Sequence, residues 1–141
     1  MKECGGNERI AHYEKQGIAC WSGNDDESHD GRHIHGSHGV ISVTSNIIPG
    51  LMRQLMDNKN IELNDSLQGL MQWLFCEPNP ICINTALMMT DAVAPNFRLP
   101  YKALSKEQRQ QGIELISALN SDEIVGDSLS LLNDDDFKYC V

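Results

Sequence analysis

The chain has 141 residues, with 20 acidic against 11 basic side chains and a formal net charge of −9. A surface of that sign repels phosphate backbones and anionic lipid, so neither nucleic acid nor a membrane is an expected partner. One globular domain is expected at this length, and no apolar run reaches the ~18 residues of a membrane span. No targeting segment is legible at the amino terminus, and five cysteines scattered along the chain point to reduced thiols in an intracellular compartment.

Lys2-Glu3-Cys4 runs directly into a Gly5-Gly6-Asn7 turn. The spacing predicts a helix from Asn7 to Gln16, with Asn7 able to cap it, Glu8 suited to its positive end and Gly17 as its stop. Ile18–Ser22 and Gly39–Val43 are short apolar runs bounded by glycine and read as buried strands. A polar helix from about Asp26 to His35, closed by Gly36, lies between them. Helix, strand, helix, strand at this spacing is the pattern of parallel α/β units. Beyond Val43 the pattern turns helical: Ile47 to Met56, Leu63 to Leu74, Ile83 to Asp91 and Ser105 to Leu119, joined by links such as Glu77-Pro78-Asn79-Pro80. The last twenty residues, with Asp134-Asp135-Asp136, read as a solvated acidic tail.

Four features could carry chemistry. Lys2 lies at the end of a strand, where desolvation can free an amine to attack a carbonyl; the alternative is an ordinary exposed lysine. His29, Asp30, His33, His35 and His38 sit among further carboxylates, and His29 and His33 share one helix face, as a chelating pair requires. The same cluster also reads as a surface helix whose aspartates complement the helix dipole. Cys76 and Cys82 flank Glu77–Ile81, but no CxxC pair exists and buried free thiols are the default. Met52, Met56, Met88 and Met89 read as core or subunit interface rather than a ligand surface.

The residues themselves say more than their spacing. Lys2-Glu3-Cys4-Gly5-Gly6-Asn7, Trp21-Ser22-Gly23-Asn24-Asp25-Asp26, Gly39-Val40-Ile41-Ser42-Val43-Thr44-Ser45-Asn46, Phe75-Cys76-Glu77-Pro78-Asn79-Pro80 and Phe97-Arg98-Leu99-Pro100-Tyr101 occur in this order. In that order they resemble the 4-hydroxy-tetrahydrodipicolinate synthase (dihydrodipicolinate synthase) family, in its plant form. The resemblance implies an α/β fold: part of a (β/α)8 TIM barrel, from the end of strand six to strand eight over residues 1–58, then a C-terminal helical domain over 59–120 and an acidic tail over 121–141.

It further implies a lyase of the class I aldolase type, condensing pyruvate with aspartate 4-semialdehyde in lysine (diaminopimelate) biosynthesis. Lys2 falls on the family's Schiff-base lysine, at the strand end where such barrels place catalytic groups. Gly23 and Ile41 fall on positions that line the pyruvate pocket. No cofactor is implied, and the histidine cluster becomes the helix between strands seven and eight, with no metal expected. Partners implied are copies of the chain or full-length synthase subunits, and the location implied is the plastid stroma. The resemblance places the first five strands outside this chain, together with the threonine pair, the proton-relaying tyrosines, the substrate-holding arginine and the lysine-feedback site. A non-catalytic chain that docks on full-length subunits is the alternative expectation.

Overall fold

The computed structural model describes residues 1–141. It opens with β1 (Lys2–Glu3), α1 (Asn7–Glu14), β2 (Trp21–Ser22) and α2 (Ser28–His33). β1 and β2 pair in parallel, Lys2 opposite Trp21 and Glu3 opposite Ser22. A third extended segment joins the other edge of β2 in the same direction through a parallel bridge between Ser22 and Val40. Its bonds are Ser22 N–H to the Gly39 carbonyl at 2.9 Å and Ile41 N–H to the Ser22 carbonyl at 2.8 Å. Three parallel extended segments linked by helices therefore stand side by side, and they do not close into a barrel.

Gly39–Val43 was expected as a full strand, yet it forms a single bridge. Its bonds to β2 stop at Ile41, because the amides that follow, Val43 N–H and Thr44 N–H, turn to the Asp25 carboxylate. The apolar run Ile18–Ser22 was expected to be buried on both faces, and only one face is covered. Cys20 and Ser22 are buried under α1 and α2, while Ile18 and Trp21 are 40% and 39% exposed. Alternation sends Trp21 to the side opposite Cys20 and Ser22, while Ile18 lies before the paired residues of β2. α1 also differs at its start: Gly6 is the cap position with no side-chain bond, and Asn7 uses its amide on the Glu27 carbonyl instead.

The remainder is helical. α3 (Pro49–Asp57) starts with proline, whose missing N–H costs nothing in a first turn. α4 (Ile61–Trp73) is capped by Asn60, whose side chain accepts from Leu63 N–H. α5 (Ile81–Met89) carries Met88 and Met89, both buried as core. α6 (Lys106–Ser117) begins with a capping box between Ser105 and Gln108. These helices share one apolar core that includes Leu51, Leu55, Leu67, Met71, Cys82 and Ile116. α6 approaches α4 at Gly112, where any Cβ would lie 2.6 Å from Trp73 Cη2. Trp73 is fixed by its indole N–H on the Gln108 carbonyl at 2.8 Å.

The expected solvated tail is instead tied down. β4 (Lys138–Cys140) pairs in parallel with β3 (Asn96–Arg98), and Phe137 is buried against Phe97 and Met88. The buried Arg109 of α6 donates to Asp134 at 2.5 Å and lies over the Phe137 ring. Composition suggested solvent exposure because three aspartates dominate the stretch, but the neighbouring aromatic residue decides where it lies.

Candidate active site

The parallel order of β1, β2 and the Gly39–Ser42 segment brings Lys2, Gly23 and Ile41 to one end and one face of the sheet. Lys2 pairs with Trp21, and Gly23, two residues further on, shares the face of Trp21. Ile41 lies two residues beyond Gly39, on the neighbouring segment, and is 50% exposed. The Gly23 N–H donates to the Glu3 carbonyl at 2.8 Å, which carries the pairing of β1 with β2 past its last residue.

Gly23 has a steric reason to be glycine. A Cβ there would sit 2.6 Å from Cε and 3.4 Å from Cγ of Lys2, and would overlap the Cys4 sulfur. The Lys2 stem therefore lies across the bare Gly23 backbone. The site takes shape from an absent side chain as much as from a present one.

Behind this face, Glu3 anchors the turn that follows Lys2. Its carboxylate accepts from Gly5 N–H at 2.6 Å and pairs with Arg9 at 3.1 Å. The Gly5 amide, then the Arg9 guanidinium, hold the Glu3 carboxyl below its usual value near 4.5 against the opposing effect of burial. Lys2 is exposed on one side of β1 and Glu3 buried on the other, so the carboxylate is a support and faces away from the amine's side.

Asp25 supports the opposite wall. It is fully buried, and one carboxylate oxygen accepts from Val43 N–H at 3.0 Å, Thr44 N–H at 2.7 Å and the Thr44 hydroxyl at 2.6 Å. Those three bonds fix the chain directly after Ile41. Ser37 stitches the two inner segments: its hydroxyl donates to the Gly39 carbonyl at 2.7 Å and accepts from Ser22 N–H at 3.2 Å. The sequence reading did not single out either residue. Asp25 was one of several carboxylates near a helix start; its place directly after Gly23-Asn24 was the available signal.

The histidine pair is engaged in structural bonds. His29 Nε2 accepts from Asn60 N–H at 3.2 Å, which leaves Nδ1–H to donate to Asp30 at 3.3 Å. His33 Nε2 donates to the Leu55 carbonyl at 2.7 Å. The rings share a face, 4.8 Å apart, but both tie α2 to the helices behind it. Cys76 and Cys82, by contrast, are brought together, with their sulfurs 3.7 Å apart.

Residues 1–119 match the model of the dihydrodipicolinate synthetase family. The chain belongs to this family. It is 50% identical over 139 residues to the chloroplastic 4-hydroxy-tetrahydrodipicolinate synthase of Zea mays, covering 97% of this chain and 37% of that protein. The corresponding enzyme 1 of Arabidopsis thaliana is 50% identical with 97% and 38% covered. Among solved structures, dihydrodipicolinate synthase of Aquifex aeolicus superposes with a TM-score of 0.75 at 27% identity, covering 89% of this chain and 46% of that one. That of Thermotoga maritima gives 0.74 at 27% identity, covering 83% and 44%. The chain thus spans 37% to 46% of the length of these family members.

Proposed function

We propose that this chain carries the Schiff-base segment of a 4-hydroxy-tetrahydrodipicolinate synthase, with Lys2 as the catalytic amine and Gly23 and Ile41 lining the pyruvate pocket. The observation that carries the reading is the convergence of these three residues at one end of three adjacent parallel segments, with the Lys2 stem lying across Gly23. In this reading residues 1–58 are the end of strand six to strand eight of a TIM barrel, residues 59–120 its helical domain, and the remainder a docked acidic strap. The similarity to proteins named as chloroplastic synthases supports the same activity and a plastid location.

The chemistry follows from the groups. The neutral Lys2 amine adds to the ketone carbon of pyruvate, and loss of water gives an imine. The imine draws electrons from the adjacent methyl group, which gives up a proton to form an enamine. The enamine carbon bonds to the aldehyde carbon of aspartate 4-semialdehyde, and attack by the substrate's own amino group on the imine carbon closes the ring and frees Lys2. Gly23 leaves room for the keto acid beside the lysine stem, and Ile41 gives the pocket an apolar wall.

Borohydride trapping of pyruvate on the protein, lost in Lys2→Ala with an unchanged circular dichroism spectrum, is the expected result; turnover with aspartate 4-semialdehyde would further need the groups that the family supplies from outside this chain. Equal trapping in both proteins would overturn the assignment of Lys2.

One observation favours a second reading, in which the chain joins full-length synthase subunits through its sheet. Along the outer side of the third segment, Val40 N–H, the Val40 carbonyl and Ser42 N–H make no hydrogen bond. They border an open cavity of about 430 Å³ lined also by Trp21, Arg32 and Met52. Such an edge accepts a further strand. Co-elution with a full-length plant synthase on size exclusion is expected under this reading, and separate elution at micromolar concentration removes it.

A further inference from the structure

The α4–α5 connection holds a pair of thiols that the proposed aldol chemistry does not use. Cys76 follows α4 in the non-helical Phe75–Pro80 link and is exposed; Cys82 lies in the first turn of α5 and is fully buried. Their sulfurs are 3.7 Å apart. The link between them folds back so that Glu77 N–H donates to the Cys82 sulfur at 3.3 Å, and the Cys82 thiol points at the Glu77 carbonyl at 3.6 Å. Gln108, at the start of α6, donates to the Glu77 carboxylate at 3.2 Å and to the Cys76 sulfur at 3.8 Å. Gln108 thus holds Cys76 and Glu77, and the Glu77 backbone holds Cys82.

We infer that Cys76 and Cys82 are an oxidative modification site, a dithiol that a small-molecule disulfide such as oxidised glutathione converts into an intramolecular disulfide. Bonding distance for two sulfurs is ~2.05 Å, so the pair must close by less than ~2 Å. Cys76 sits on the irregular link and can supply that movement by turning its side chain, while Cys82 is fixed in a helix. Exposure sets the order of events. Cys76, as thiolate, attacks one sulfur of oxidised glutathione, forming a mixed disulfide and releasing one glutathione thiol. Burial pushes the Cys82 thiol up to about 12, so its sulfur attacks the Cys76 sulfur as its proton passes to the departing glutathione sulfur, and the second glutathione leaves as a thiol. Two protein thiols become one disulfide, and one glutathione disulfide becomes two thiols, so atoms and electrons balance.

The other cysteines lack this arrangement. Cys20 is buried, and Cys4 and Cys140 are exposed with no sulfur partner. The bond would tie the end of α4 to the start of α5 and remove the Cys76 acceptor from Gln108. That places a redox-dependent clasp among the helices.

The test is incubation of the intact protein with oxidised glutathione, followed by denaturation, alkylation and peptide mass analysis. The expected product has a Cys76–Cys82 bond, seen as loss of two alkylatable thiols and two hydrogens from the peptide spanning both residues, with no glutathione retained there. Cys82→Ser should instead trap glutathione on Cys76, and Cys76→Ser should leave Cys82 fully alkylatable after denaturation. Stable glutathione on Cys76 of the unaltered chain, or pairing of Cys76 with Cys4 or Cys140, would overturn the inference. Because Cys82→Ala could loosen the core, the serine variants are compared by circular dichroism, and the outcome in the unaltered chain decides the matter by itself.

Discussion

At Gly23 a single methyl group decides the geometry of the proposed site. Gly23→Ala places a carbon against the Lys2 stem and Cys4, so the amine must swing away from its position. Displacement of a reacting group by about an ångström can cost ~100-fold in rate. Pyruvate trapping by borohydride is expected to slow by about that factor in Gly23→Ala, with circular dichroism unchanged; a trapping rate equal to the unaltered chain would show that Lys2 does not act across Gly23. Glu3 makes a different contribution, to stability. Its carboxyl is held down by Gly5 N–H and by Arg9, so the folded state favours the ionised form. A lowered carboxyl stabilises the fold above the unfolded value and loses that contribution as pH falls through the folded one. The difference in urea midpoint between the unaltered chain and Glu3→Gln is therefore expected at neutral pH, and should shrink once pH falls below the usual carboxylate value and vanish when Glu3 is protonated in the folded state. A difference that grows on acidification would contradict the assignment.

Among the elements, the third parallel segment depends most on one partner. Asp25 supplies three bonds to Val43 and Thr44, and nothing else in its position could. Hydrogen bonds to a charged group contribute more than neutral ones, and removing the acceptor strands buried donors. Asp25→Ala is expected to cost about 3 kcal/mol in chemical denaturation, and Asp25→Asn, which keeps one acceptor oxygen, clearly less. Equal losses would mean that the charge, not the acceptor geometry, holds the segment. Amide exchange should also quicken at Ile41 and Val43 before it does in α4, since the Gly39–Ser42 segment has a bonded neighbour on one side only.

Much of this was legible in the sequence. The alternation of helices with glycine-bounded apolar runs gave the parallel order, and Pro49, Asn60 and Ser105 start helices as their chemistry directs. Lys2, Gly23 and Ile41 came forward as candidates through resemblance and not through spacing, because their meeting depends on strand register that no local pattern encodes. Asp25 was hidden for the same reason: Asp25, Asp26, Glu27 and Asp30 look alike until the fold shows that Asp25 reaches Thr44. The apolar run at Ile18–Ser22 suggested burial on two faces, and the helices cover only the face of Cys20 and Ser22. Phe137 and Arg109 turned an acidic tail into a docked strap, through long-range contacts that composition does not carry.

For the molecule as a whole, the central claim is that three parallel segments and their helices place one particular lysine to react with a keto acid. Lys2 competes with Lys15, Lys59, Lys102, Lys106 and Lys138, all carrying the same amine, so position along the chain is the discriminating readout. The direct measurement is peptide mapping of the intact protein after incubation with pyruvate and borohydride. A reduced adduct confined to the peptide bearing Lys2, and absent from Lys2→Ala, is the expected result. An adduct spread evenly over the six lysines of the chain, or none on Lys2 in a folded protein, would contradict it.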